Sequence, residues 1–308
     1  MANQSDTDCS DNCGNNFRPE TVVIINCVLN APLILISIIC NTLVLAAIPR
    51  TPQLRSPSTI LLCSLAVSDL LVGFVVQPLY IASELTENDL LYEAVTILSF
   101  SACGVSLATM TALSVDRFLA LHYHMRYPNL MTAHRALYAS VTLWIVIFVI
   151  SFSTFWKVNA YYFSAAVSIV FCLLVSAFCY IRVYRIVRHH QFQIHAQRQA
   201  VESTETSQKM ERSIKRAMDT FVFYIVLILC YLPLFVAMVM LGMPHIQPTN
   251  AWNLTDTIAY MNSSINPILY CWRLRELRTA VRKTVRQMLC TPTEETSLTS
   301  CFGFSLFT

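Results

Sequence analysis

Ionisable and amide side chains stand in this chain where an apolar sequence has no evident use for them. Asp69 interrupts the apolar run 60–83, and Asn41, Ser106, Asn262 and Asn266 lie inside other runs of the same kind. A carboxylate among amide and hydroxyl oxygens suits a small hard cation, with Asp69 and Ser106 as candidate metal ligands, or an ordered cluster of water. A hydrogen-bonded polar core without an ion is the alternative. Each of these groups is costly inside a membrane, so each needs a reason to be there. Asp116-Arg117 sets opposite charges side by side at the end of a further run. The chain has no Gly-rich phosphate loop, no His/Cys metal spacing and no nucleophile beside a base, so it is not expected to be an enzyme. His189-His190 falls in a polar connection and reads as solvated.

The elements that must position these residues are membrane spans. Of 308 residues, 55% are hydrophobic, 13% are charged and 5 are glycine, and the mean hydropathy is +0.53. That is too apolar for a water-soluble domain of this size. A hydrocarbon core about 30 Å thick takes about 20 apolar residues as helix. Uncharged or nearly uncharged runs of that length give approximate spans at 22–48, 58–83, 91–122, 135–156, 158–187 and 212–243. A seventh, 251–272, is more polar, carrying Asp256, Asn262 and Asn266, and spans if those groups face protein or water. The expected fold is an all-α membrane protein, a bundle of seven transmembrane helices over 22–272. A polar tail, 1–21, precedes it, an amphipathic eighth helix covers 273–290, and a second tail covers 291–308.

Basic residues fix the expected orientation, because Lys and Arg are retained on the cytoplasmic side. Arg50, Arg55, Arg126, Arg135, the cluster Arg182 to Arg216 and the run Arg273 to Arg286 fall on one side, against Arg18 and Lys157 on the other. The amino terminus is then outside and the carboxyl terminus inside, which requires an odd number of spans and supports the seventh independently. A multi-pass plasma-membrane protein is expected. The first 20 residues hold no apolar stretch, so the first span is expected to act as its own insertion signal. Asn3 and Asn253 head glycosylation sequons on the outer side. Cys9 and Cys13 lie outside, where they can form a local disulfide or stay free. Beyond the seventh span, Leu274, Leu277, Val281, Val285 and Met288 recur at helical steps among arginines, the pattern of a helix lying in the inner interface. Cys290 at its end is a candidate for palmitoylation, and Thr293, Thr296, Ser297, Thr299 and Ser300 for phosphorylation. The long polar connection, about 189–211, reads as helix extensions around a loose middle.

Taken in order, the motifs resemble those of rhodopsin-like (class A) G-protein-coupled receptors. Asn41 stands in Cys-Asn-Thr-Leu-Val, Leu65-Ala66-Val67-Ser68-Asp69 is similar to the second-helix signature, and Asp116-Arg117-Phe118 ends helix three. Trp144 sits in helix four, Cys230-Tyr231-Leu232-Pro233 in helix six, and Asn266-Pro267-Ile268-Leu269-Tyr270 closes helix seven. The likeness covers about 22–290. It implies an extracellular ligand, a heterotrimeric G protein, and possible roles for arrestin and receptor kinases; lipid bilayer is the surrounding partner and no nucleic acid is expected. It implies no cofactor beyond an allosteric sodium ion held by Asp69 with Asn41, Ser106, Asn262 and Asn266. It implies that Arg117 is released from Asp116 on activation to meet the G protein, supported by Tyr180 and Tyr270, while Pro233 and Pro267 kink their helices.

Departures from the pattern matter as much. Tyr92 stands where the family has a helix-three cysteine, Cys172 replaces the fifth-helix proline, and Tyr231 replaces a tryptophan. With a short outer connection near 157–160, these features resemble the melanocortin, adenosine, cannabinoid and lysophospholipid cluster. Ser99 replaces the aspartate that anchors amines, Tyr260 the retinal lysine and Met238 an adenosine-binding asparagine. Leu79, Tyr92 and Thr96 stand where melanocortin receptors carry acids. The ligand is therefore open. The expected pocket comprises Ser99, Cys103, Tyr231, Asp256 and Tyr260, with Asp256 either pairing a small cationic ligand or merely sitting solvated at its helix start. Ser213 replaces a glutamate that restrains Arg117 in relatives, so raised basal signalling is expected. The rival class is a membrane transporter with Asp69 and the asparagines as an ion path, although internal repeats and broken helices are not evident.

Overall fold

The structure, a computed structural model, describes residues 20–54, 56–86, 88–123, 126–152, 158–198, 205–243 and 251–289. Within a membrane every backbone N–H and C=O must be satisfied internally, and a long apolar run meets that demand as helix. Helices are what form: α1 (Glu20–Ala47), α2 (Pro57–Thr86), α3 (Asp89–Tyr123), α4 (Ala133–Ser151), α5 (Val158–Arg198), α6 (Glu205–Leu241), α7 (Ala251–Arg273) and α8 (Arg275–Leu289). The all-α bundle expected from the sequence is the fold observed. Local chemistry sets the helix starts. Pro57 begins α2 after Ser56 in extended conformation, and the Thr132 hydroxyl accepts the Arg135 N–H at 3.4 Å ahead of α4.

Six helices among the described residues are long and apolar enough to cross a membrane. The more polar α7 has 23 residues, about 35 Å of helix at 1.5 Å per residue, which is enough for the span. Its Thr257, Asn262, Ser263, Ser264 and Asn266 are buried. The whole bundle is organised that way: Phe74, Tyr138 and Phe163 are 71–72% exposed, while Asn30, Asp69, Gln77, Asn262 and Asn266 are 0% exposed. Such an inversion is stable only where hydrocarbon covers the outside.

The central element is α3, which packs against α2, α4, α5 and α7. α1 joins α2 and α7, closing the ring, and α8 lies against α1 and α7. Asp116, Arg117, Arg182 and α8 mark one end of the bundle, the basic face; Glu84, Ser99 and Asp256 lie towards the other, the far face. Within α2 a π turn at Val72–Val76 shifts the inward face, and burial continues beyond it at Gln77, Tyr80, Ser83 and Glu84.

Gly73, in that π turn, faces α1. A Cβ at Gly73 would stand 2.9 Å from both Cβ and Oγ of Ser37, and the Ser37 hydroxyl donates to the Asp69 carbonyl at 2.9 Å. Gly73→Ala is therefore expected to push α1 away and cost about 1–3 kcal/mol as overpacking. Thermal unfolding in detergent should show a lower midpoint for Gly73→Ala than for Gly242→Ala, where the nearest atom lies at 3.4 Å. Equal midpoints would contradict this packing.

Candidate functional site

The polar residues fall into three layers between the two faces. In the middle layer Asp69 receives a hydrogen bond from Ser106 Oγ at 2.9 Å and another from Asn266 Nδ2 at 2.9 Å, one on each carboxylate oxygen. It thus ties α2 to α3 and α7. Asn41, expected beside Asp69, instead donates to the Ser37 carbonyl at 2.9 Å and the Ser263 carbonyl at 3.1 Å. Its role is to brace α1 against α7. Asn262 is buried, and neither its Oδ1 nor its Nδ2 has a partner; Asn266 Oδ1 is likewise without one. An orphaned buried amide costs free energy unless something fills the gap. The Asn266 amide oxygen, on the side chain that bonds Asp69, joins a carboxylate and a hydroxyl in a donor set that fits a hard cation or ordered water, and Asn262 lies one turn earlier on α7.

Towards the far face, Ser99 and Cys103 lie one turn apart on α3 and face Asp256 and Tyr260, one turn apart on α7. The Ser99 and Tyr260 hydroxyls meet at 2.7 Å, and the Tyr260 ring stands edge-on to Tyr80 at 5.4 Å. Tyr231 of α6 donates to the Cys103 carbonyl at 3.2 Å, two residues before Pro233. Asp256 is half-buried, lies beyond the first turn of α7, and sits within electrostatic range of Glu84, Cys103, Tyr161, Tyr162 and Tyr260. A helix-start carboxylate acts on the macrodipole only within the first turn, so Asp256 is not simply a dipole partner.

The basic-face layer departs from the simple pairing of Asp116 with Arg117. The Asp116 carboxylate accepts from Ser58 Oγ at 2.6 Å and from the Tyr127 hydroxyl at 2.6 Å, and no ion pair with Arg117 forms. Tyr180 accepts from Ser114 Oγ at 2.9 Å. Tyr270 donates to Met110 Sδ at 2.6 Å and stacks on Phe223 at 5.1 Å. The Arg273 guanidinium lies over the Phe223 ring, 5.2 Å from its centroid. α6 and α7 are thereby held together at this face. Pro233 and Pro267 lie inside their helices.

Several polar residues of the site escaped the reading of the sequence. Gln77 donates to Asn30 Oδ1 at 3.0 Å, Asn30 to Thr257 Oγ1 at 2.9 Å, and Asn26 to the Tyr80 hydroxyl at 3.3 Å. The signal was present, because Asn26, Asn30, Ser37 and Asn41 recur at four, seven and four residues, one face of a helix. Ser58, in the first turn of α2, and Tyr127, in the α3–α4 connection, carry no such signal, since nothing in sequence spacing brings either to Asp116. Asn3, Cys9, Cys13 and Cys290 lie outside the described residues, as do the side chains of Ser213 and Asn253.

Against this geometry, the family model of the 7 transmembrane receptor (rhodopsin family) matches residues 40–156 and 150–270. The histamine H2 receptor of Canis lupus familiaris is 28% identical, over 94% of this chain and 88% of its own length. Melanocortin receptor 4 of Danio rerio is 26% identical, over 83% and 81%, and melanocortin receptor 3 of Homo sapiens is 26% identical, over 83% and 82%. These matches support a receptor and lend nothing to an ion path.

Tyr127 lies outside the membrane spans. Partial burial, and then its hydrogen bond to Asp116, push its phenol from the ordinary 10 up to about 12. The proton is held more tightly in the folded chain, so the stabilisation is complete below pH 10 and disappears as pH rises from about 10 to about 12. The parent should therefore be more stable than Tyr127→Phe at neutral pH, with the gap closing across that window in thermal unfolding. A gap independent of pH would contradict the contact.

Proposed function

The chain belongs to the rhodopsin family of seven-transmembrane receptors, and we propose that its far face binds a cationic extracellular ligand whose arrival frees the basic face for a heterotrimeric G protein. The observation that carries the ligand reading is Asp256, half-buried and within electrostatic range of Tyr260, Tyr161 and Tyr162, where the Tyr260 hydroxyl meets that of Ser99. A carboxylate so placed gains most from a ligand that brings its own positive charge and N–H donors. One relative is named for histamine, an amine; Ser99 stands where the amine-anchoring aspartate is expected, so Asp256 takes over the role of counter-charge from α7. Cys103 and Tyr231 form the floor of this pocket.

The orientation follows the basic residues, with the basic face in the cytosol and the amino terminus outside. Ligand pressure on Tyr231 or Tyr260 reaches α6 within a turn of Pro233 and α7 on the far side of Pro267, and the Tyr270–Phe223–Arg273 contact would have to open for Arg117 to become accessible. Asp69 and Ser106, with the amide oxygens of Asn262 and Asn266, would hold sodium in the closed state, and Asn41 would position them. Bound there, sodium would supply fixed positive charge that ties α2, α3 and α7 together. Because Asp116 is held by Ser58 and Tyr127, and Ser213 supplies no second carboxylate, Arg117 starts with few restraints, which favours basal signalling. Arrestin and receptor kinases would share the basic face, Cys290 would carry palmitate, and Asn3 and Asn253 would be glycosylated.

Amines, with nucleosides, lipids and short peptides as comparators, can be screened by ligand-dependent nucleotide exchange on a purified G protein. An agonist is expected among the cationic members. Asp256→Asn should raise its half-maximal concentration by about ten- to a hundredfold, the loss of a charge-assisted hydrogen bond worth about 1.5–3 kcal/mol. An unchanged dose response would remove Asp256 from the pocket.

A further inference from the structure

Between α5 and α6, in the half of the bundle towards the far face, a cleft of about 540 Å³ opens sideways. Phe163, Val167, Phe171 and Leu174 line one wall, Phe235 and Val239 the other, and no polar side chain interrupts them. Both walls belong to membrane spans, so the cleft is bathed by hydrocarbon and not by water. Its volume is that of a ligand pocket, yet such pockets ordinarily include a few polar groups that orient the ligand. The occupant it fits is therefore plain hydrocarbon.

Size narrows the choice. From Phe163 to Leu174 the wall rises about 16 Å at 1.5 Å per residue, close to the hydrocarbon depth of one leaflet, about 15 Å. A single chain of methylenes is narrow enough. Hydrocarbon gains no solvation by leaving lipid for the cleft, so its retention rests on dispersion contact with fixed aromatic walls. Gly242 keeps the end of the cleft open. A Cβ there would meet only ordinary contacts, 3.4 Å to the Met238 carbonyl and 3.8 Å to Tyr162 Cβ, so a larger side chain can be accommodated only by reaching into the opening.

We propose that this cleft binds one acyl chain of a lipid from the leaflet on the far-face side, a resident apolar ligand wedged between α5 and α6. The site is separate from the pocket at Asp256 and stands or falls without it. The test is photocrosslinking of the full chain in lipid nanodiscs containing phosphatidylcholine with a diazirine in one acyl chain, with adducts mapped by peptide. Adducts on 163–174 and 235–243 should be several-fold denser than on the α4 face 137–149, where Leu137, Tyr138, Ile145 and Val149 are equally open to lipid. They should fall to the α4 level in Gly242→Leu and in Val170→Trp, which fill the cleft from its two walls. Should a variant fail to fold, the comparison with α4 in the parent still decides. Equal density on both faces, unchanged density in both folded variants, or crosslinks joining two copies through α5 and α6 would each overturn the proposal.

Discussion

Asp69 is wholly shielded from solvent, and a carboxylate in that position must be satisfied by its neighbours. The bundle is arranged to do so. α3 supplies Ser106, α7 supplies Asn266, and α1 contributes through Ser37, which holds the backbone of Asp69 itself. Gly73 lets α1 come near enough, and the π turn around it allows α2 to present Asp69 and Gln77 to the same interior. One buried acid therefore sets how four helices meet. Any event that alters its partners alters the spacing of α2, α3 and α7 together.

From that centre the two faces can be read as consequences. Tyr231 and Tyr260 touch α3 on the far side of Asp69, and Tyr270 touches Met110 on the basic side. Pro267 lies between these contacts on α7 and Pro233 two residues beyond Tyr231 on α6, where a missing backbone hydrogen bond lets each helix bend. Hydroxyl donors already occupy Asp116, so the charge of Arg117 is not tied to its sequence neighbour. Among the described residues, Phe223 joins α6 to α7 at the basic face, stacked on Tyr270 and with Arg273 over its ring.

The bundle was legible in the sequence because membrane spans follow from a coarse rule, apolar length, and because the distribution of arginines required an odd number of crossings. Asp69, Ser106 and Asn266 were legible as a set because polar residues at one depth in different spans have only each other to bond. Asn41 and Asn262 show the limit of that reasoning. Depth alone does not say which way an amide points, and Asn41 turns to the Ser263 carbonyl while Asn262 is left unpaired. The far-side ladder of Asn26, Asn30, Gln77 and Thr257 had a visible period on α1, but its partners on α2 depend on the π turn, which no residue pattern announced. Tyr127 and Ser58 were illegible for a different reason: Tyr127 reaches Asp116 from a connection folding back and Ser58 from the first turn of α2, and no spacing within one helix relates either to Asp116.

The claim that Asp69 is the node joining the two faces is tested most directly by agonist-independent nucleotide exchange in proteoliposomes, comparing sodium with potassium at equal ionic strength. Sodium should lower the exchange supported by the parent chain, and Asp69→Asn should exchange equally in both salts. A parent indifferent to sodium, or an Asp69→Asn variant that keeps the full sodium response, would contradict the account.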